Sequence, residues 1–155
     1  MDPFASAWEQ RDPGILAEAL ADDVVLHSPL VSSPFEGKEA AVELYGVLFD
    51  RLGAVEITEQ LGEGDTRAYF WRAEAGGRSI DGSDLIRYGA DGRISEVFVS
   101  IRPLRSLAVF ASAVGPALAA KRGRANTVLT RLLVAPLGAF FALADALSAR
   151  LVLRR

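Results

Sequence analysis

The stretch VEITEQLGEGDTRAYFWRAEAGGRSIDGSDLIRYGADGRISEVFVSIR, residues 55–102, reads as four β-strands joined by three tight turns. The turns are Gly62-Glu63-Gly64-Asp65, Gly76-Gly77 and Gly89-Ala90-Asp91-Gly92. Gly-Gly tolerates the positive φ angles of a two-residue hairpin, and Asp-Gly is a hairpin signal of its own. Between the turns the residues alternate. Val55, Ile57 and Leu61 oppose Glu56, Thr58 and Gln60; further on, Ile80, Gly82, Asp84, Ile86 and Tyr88 oppose Ser79, Asp81, Ser83, Leu85 and Arg87. A period of two sustained over several runs predicts an antiparallel meander with two chemically different faces.

Upstream the period changes. Phe4, Ala7, Trp8 and Arg11 recur at helical spacing, and Asp12-Pro13 restarts the chain with a cap and a first-turn proline. Ile15, Leu16, Ala19 and Leu20 make a second short helix that Asp22-Asp23 ends. Val24 to Ser28 reads as a strand and Pro29 to Pro34 as a loop. Glu36-Gly37-Lys38-Glu39 opens a third helix, with Ala40, Ala41, Leu44, Tyr45, Leu48, Phe49 and Leu52 on its apolar stripe.

Helix, helix, strand, helix and four strands, with six local motifs in order, carry a resemblance. The motifs are Trp8-x-x-Arg11-Asp12, the strand Asp22 to Pro29, and Phe35-Glu36-Gly37-Lys38-Glu39-Ala40. Then come Asp81 to Tyr88, Asp91 to Glu96, and Arg102-Pro103-Leu104. Over about residues 4–104 the chain resembles the SnoaL-like members of the nuclear transport factor 2 superfamily. That resemblance implies an α+β cone: a curved sheet wrapped on a long helix, with an apolar pocket at its open end. It also implies a homodimer through the outer face of the sheet. Cyclases and epoxide hydrolases of the superfamily place an Asp on a late strand, and ketosteroid isomerases combine an early Tyr with an Asp. Here the last strand offers Ser100 in its outer half, a departure from those patterns.

The charges divide the chain in two. Residues 1–103 carry nine Lys/Arg against nineteen Asp/Glu, a net −10; residues 104–155 carry eight Lys/Arg against Asp145 alone, a net +7. We read residues 1–104 as an acidic cone and 105–155 as a basic, apolar helical extension. Leu104 to Ala120 is one helix, Lys121-Arg122-Gly123-Arg124 a basic break, and Asn126 or Thr127 a cap for the last helix. Pro136 restarts or kinks that helix. Leu137, Phe140, Phe141, Ala144, Leu147 and Leu151 line one side, and the other side is apolar too, so something must cover it. Three covers are open: packing back on the cone, as a lid over its pocket or against a second subunit; an in-plane membrane contact through 126–155; or a membrane span. The uncharged run Leu132 to Ala144 is short for a span, which takes about 20 apolar residues.

Half of the 155 residues are apolar, enough for one core, and there is no cysteine, which excludes disulfides and thiolate chemistry. Met1-Asp2-Pro3-Phe4 lacks a basic and then apolar leader pattern, so a cytoplasmic protein is the expectation, with membrane association as its variant. No metal site is expected from one histidine and scattered carboxylates. Nucleic acid is a poor partner for an acidic cone, and the absence of a phosphate loop or dinucleotide fingerprint leaves no cofactor to expect.

Two residues are candidates for proton transfer. Asp84 shares a strand face with Ile80, Ile86 and Tyr88; facing an apolar pocket, its carboxyl would be pushed up and become an acid or base. The plainer alternative is an outward Asp84, or one that only pairs with Arg72 or Arg102. His27, the one histidine, is either a base or anchor in the cone or a strand-end side chain bonded to the next loop. Trp8, Tyr45, Phe49, Phe70, Tyr88, Phe98 and Arg102 are the candidate ligand-binding residues. Two functions are compatible with these residues. One is a cofactor-independent isomerase, cyclase or hydrolase acting on a small apolar molecule by general acid–base catalysis. The other is a non-catalytic module whose basic C-terminal helices dock a membrane surface or a partner.

Overall fold

Two short helices, each opened by a capped proline turn, bring the chain in. The computed structural model describes residues 2–152, so Met1 and the last three residues of the extension, 153–155, lie outside it. In α1 (Pro3–Gln10) the Asp2 carboxylate accepts from the Phe4 and Ala5 amides, and in α2 (Pro13–Ala19) Asp12 accepts from Gly14. Arg11 between them is left-handed at φ 53°, and its guanidinium donates to the carbonyls of Phe49, at 2.5 Å, and Leu52. These lie at the C-terminal end of α3 (Lys38–Arg51), where helix carbonyls lack internal donors. Arg11 therefore ties α1 to α3 and sets Trp8 edge-on against Tyr45 and Phe49. That is the physical content of the Trp8-x-x-Arg11 motif.

The sheet has six strands: β1 (Leu20–His27), β2 (Phe35–Glu36), β3 (Glu56–Glu63), β4 (Thr66–Ala75), β5 (Arg78–Tyr88) and β6 (Ile94–Arg102). Their order is β2-β1-β6-β5-β4-β3, with β1 and β6 parallel and the other neighbours antiparallel. The meander of residues 55–102 is present as expected, and the whole is an α+β architecture with one curved sheet wrapped on α3. The inner face carries Tyr69, Trp71, Ala73, Ile80, Ile86 and Val97, all buried against Phe4, Leu16 and the apolar side of α3.

Three boundaries differ from the sequence reading. The second helix stops at Ala19, before the two aspartates, because Leu20 already pairs with Ile94 of β6. Phe35–Glu36 is a strand on β1 and does not start the third helix; Gly37, at φ 86°, turns the chain and donates its N–H to Val24 O. In β3 a register shift between Ile57 and Glu59 inverts the alternation, which leaves Leu61 on the outside, 53% exposed.

The extension is a helical hairpin. α4 (Leu104–Ala120) packs on α3 and on β4, β5 and β6, burying Phe110, Ala111 and Val114. After a break at Gly123, α5 (Arg124–Val152) runs back along α4 as one helix of 29 residues. Pro136 lies inside it and does not divide it, a correction to the expected restart; the helix gives up a single hydrogen bond there. Packing on the cone thus covers α4, whereas α5 is half-buried along the side that meets α4 and has no fully buried residue.

Candidate functional site

On the inner face, three side chains form a row across neighbouring strands: Tyr69 of β4 opposite Asp84 of β5, and Asp84 opposite Val99 of β6. Asp84 is 1% exposed, and its Oδ1 has no hydrogen-bond partner. Neither Arg72 nor Arg102 neutralises it; Arg72 Nε donates instead to Asp81 Oδ1 at 3.0 Å on the other face. Burial pushes the Asp84 carboxyl up to about 7. The Trp71 indole N–H lies close enough to pull the other way without completing a hydrogen bond. At neutral pH such a carboxyl exists in both protonation states, which is what proton transfer in either direction requires.

Two more buried polar atoms without partners accompany it, Trp71 Nε1 and Tyr45 Oη. Burial, and then the Asp84 charge, push the Tyr45 hydroxyl well above its ordinary range, so it remains a proton donor. Trp71 holds its place because its cross-strand partner is Gly82: a Cβ there would come within 2.2 Å of the indole ring. An acid, a hydroxyl and an indole N–H, all unpaired within one aromatic interior, form an arrangement that costs stability. Its members can each hydrogen-bond a polar atom brought among them.

Beside this group lies an apolar cleft of about 630 Å³. Its floor is Leu26, Leu44, Leu48 and Val99; the loop residues Pro29 to Val31 close one side, and α4 with α5 the other. Val99 connects the two features, since it lines the cleft and stands directly opposite Asp84. Polar groups on the lining are few: Ser28 on the loop side, and Arg122, Asn126 and Thr130 at the α4–α5 end.

The candidate residues divide by face. Asp84 points inward, as do Trp8, Tyr45 and Phe49; these three aromatics pack on one another in the core and are not on the cleft wall. Tyr88 is half-buried at the edge, its hydroxyl donating to Asp2 Oδ2 at 3.2 Å. Four candidates are corrected to the outer face. His27 stacks flat on Phe98, ring centroids 4.2 Å apart, and its Nε2 lies 3.1 Å from Glu96 Oε1. Glu96 Oε2 also accepts from Arg87, whose guanidinium covers the Phe98 ring. Phe70 is 41% exposed, and Arg102 is exposed beside it on a shallow outer groove. The physical reason is the same for all four. The aliphatic sets Val24–Leu26 and Val97–Val99–Ile101 take the core face, which turns His27, Phe98 and Arg102 outward; Tyr69 and Trp71 do the same to Phe70.

Sequence reasoning missed Trp71 as a polar neighbour of Asp84, although Gly82 set opposite a bulky residue was a readable signal. A lid over the pocket was one of the covers the sequence left open for the last helices, but it did not single out the wall residues Phe110, Val114, Leu137 and Phe141. Among the described residues no group of three His, Asp or Glu side chains is placed to hold a metal ion.

The sequence profile of the SnoaL-like domain matches residues 2–97. A steroid delta-isomerase from Pseudomonas aeruginosa superposes with a TM-score of 0.72 at 26% identity, covering 76% of this chain and 88% of that one. A bacterial protein with a cystatin-like fold from Silicibacter pomeroyi gives 0.68 at 22% identity, covering 73% and 82%. A nuclear transport factor 2-like protein of unknown function from Mesorhizobium loti gives 0.59 at 25% identity, covering 64% and 85%. No curated protein matches the chain.

Proposed function

Since this chain belongs to the SnoaL-like domain family, we propose that its cone binds a small apolar molecule in the mouth cleft and moves a proton on it through Asp84. The observation that carries this reading is the uncompensated Asp84 carboxyl, one strand position behind the cleft wall at Val99. The ligand's apolar body fills the space against Leu44, Leu48 and Phe110, its carbonyl oxygen accepts from the Tyr45 hydroxyl, and the adjoining carbon lies at the ionised Asp84. Asp84 takes a proton from the carbon next to that carbonyl and returns it elsewhere on the skeleton. The net change is an isomerisation, with no cofactor consumed. The likeness to a steroid delta-isomerase supports a fused-ring ketone as the first substrate class to try. Since Asp84 is 1% exposed, the wall at Val99 must part before the two meet, which makes closure part of turnover.

The test is a β,γ-unsaturated ketosteroid, followed by the absorbance of the conjugated enone. The expected result is turnover that Asp84→Asn reduces by about 10²-fold or more, with the fold intact by circular dichroism. Turnover unchanged in that variant removes Asp84 from the mechanism. Saturable binding without turnover, equal in both proteins, leaves the second reading, a binding cone without chemistry. The polar-poor cleft is the observation that favours it.

A further inference from the structure

α5 differs from the other four helices. It has 29 residues, and among the described residues it alone is long and apolar enough to cross a membrane, yet no residue of it is fully buried. Its apolar residues form two stripes. Val134, Leu137 and Phe141 face the cleft that α4 shares. The second stripe, Leu129, Leu132, Phe140, Leu143, Leu147 and Leu151, recurs at helical spacing along the whole helix and is 47–82% exposed. Arg124, Arg131 and Asp145 project on the side opposite this second stripe, Arg150 falls on the stripe in the last turn, and Lys121 and Arg122 stand in the turn before the helix.

Charge and length together select what covers that stripe. The extension carries a net +7 with Asp145 its one acid. Pairing two copies in parallel would bring two sets of Lys121, Arg122 and Arg124 together, an unfavourable juxtaposition of like charges. A simple span fits poorly. The uncharged run from Leu132 to Ala144 is about 20 Å long at 1.5 Å per residue, against a hydrocarbon core of about 30 Å. A helix with a long exposed apolar stripe, arginine on that stripe only in the last turn and a basic turn at its start has the chemistry of one lying in the headgroup–acyl boundary. Long basic side chains reach headgroups from the flank while their stems stay apolar.

We propose that α5 lies in the plane of an anionic phospholipid surface, with Leu129, Leu132, Phe140, Leu143, Leu147 and Leu151 in the acyl region. Lys121, Arg122, Arg124 and Arg131 lie among the headgroups. This is independent of Asp84 and of any reaction. It places the α4–α5 end of the cleft beside the lipid.

The experiment is flotation of the full-length protein with vesicles of phosphatidylcholine alone or of phosphatidylcholine with phosphatidylglycerol. Binding at least tenfold tighter to the anionic vesicles, weakened by salt and released by alkaline carbonate, is expected. Leu132→Glu with Leu143→Glu should abolish flotation, and Lys121→Gln with Arg124→Gln should weaken it about tenfold or more, at roughly fivefold per basic residue. Both pairs are exposed, so unchanged thermal melting of the variants shows that the fold survives. Equal flotation on both vesicle types, or flotation that survives the two glutamates, overturns the proposal. So does a detergent-free dimer that dissociates in the glutamate variant without binding lipid, because a second copy then covers the stripe. Retention after carbonate treatment overturns it in favour of a span.

Discussion

In the cone, Phe4, Trp8, Tyr45 and Tyr69 are buried together, and the charged residues of the same segment, the buried Asp84 apart, lie towards the outside or cap helices. In α5, Leu132, Phe140 and Leu143 are each more than 60% exposed, and Arg124, Arg131 and Asp145 sit on the opposite side. Both regions are rich in apolar residues, so composition does not separate them. The difference is whether the apolar set closes on itself. The cone's sheet and α3 offer each other complementary faces; α5 has one partner, α4, and more apolar surface than one partner can cover. Apolar surface left in water marks a site of interaction.

Substitutions can break this comparison, starting with the largest effect. Trp8→Ala opens a hole in the aromatic cluster and should cost about 3–5 kcal/mol in denaturant unfolding. A loss under 1 kcal/mol would mean that the cone's interior is as loosely held as α5. Asp84 comes next, through pH. Its carboxyl is raised from 3.8 to about 7, so the folded state holds a proton that the unfolded state has released. The associated stability is complete below about pH 4, falls as pH rises through the folded value, and is gone above it, a change of about 4 kcal/mol. Asp84→Asn should flatten that slope and leave the protein more stable than the parent at pH 8; unfolding curves at pH 5 and 8 decide it. An unchanged slope would mean that the carboxyl is already compensated.

Gly82→Ala pushes a methyl into the Trp71 indole and should cost about 1–3 kcal/mol, with a shift in tryptophan fluorescence as the ring moves. An unperturbed spectrum would show that Trp71 is not held against β5. Leu132→Ser on the exposed stripe should change stability by less than about 0.5 kcal/mol in lipid-free solution. A large loss there would show that α5 is covered without a membrane and would erase the contrast between the two regions.

The cone was legible because its signals are short-range. Alternation in residues 78–88 placed Ile80, Asp84 and Ile86 on one face, and the Gly-Gly and Asp-Gly turns set the strand lengths. What stayed hidden was which face turns inward on each strand. Phe98 and Phe70 look like core residues in isolation, but face allegiance follows the whole set, and Val97, Val99 and Ile101 outweigh one ring. His27 was misplaced for the same reason, since its strand neighbours Val24 and Leu26 hold the core face. The cleft was illegible because its walls come from residues 26 to 141, and no local pattern joins a loop after β1 to the middle of α5.

The cleft wall is shared between a firmly packed scaffold and a helix whose other side is free. Such a wall obeys reciprocity. A ligand that gains contacts from Leu137 and Phe141 is held more tightly while α5 stays on α4, and by the same factor its presence must fasten α5 there. Occupancy of the cleft and the position of α5 are therefore two readings of one equilibrium. Loading the cleft should slow hydrogen exchange along residues 130–141 in proportion to affinity, without any chemical step.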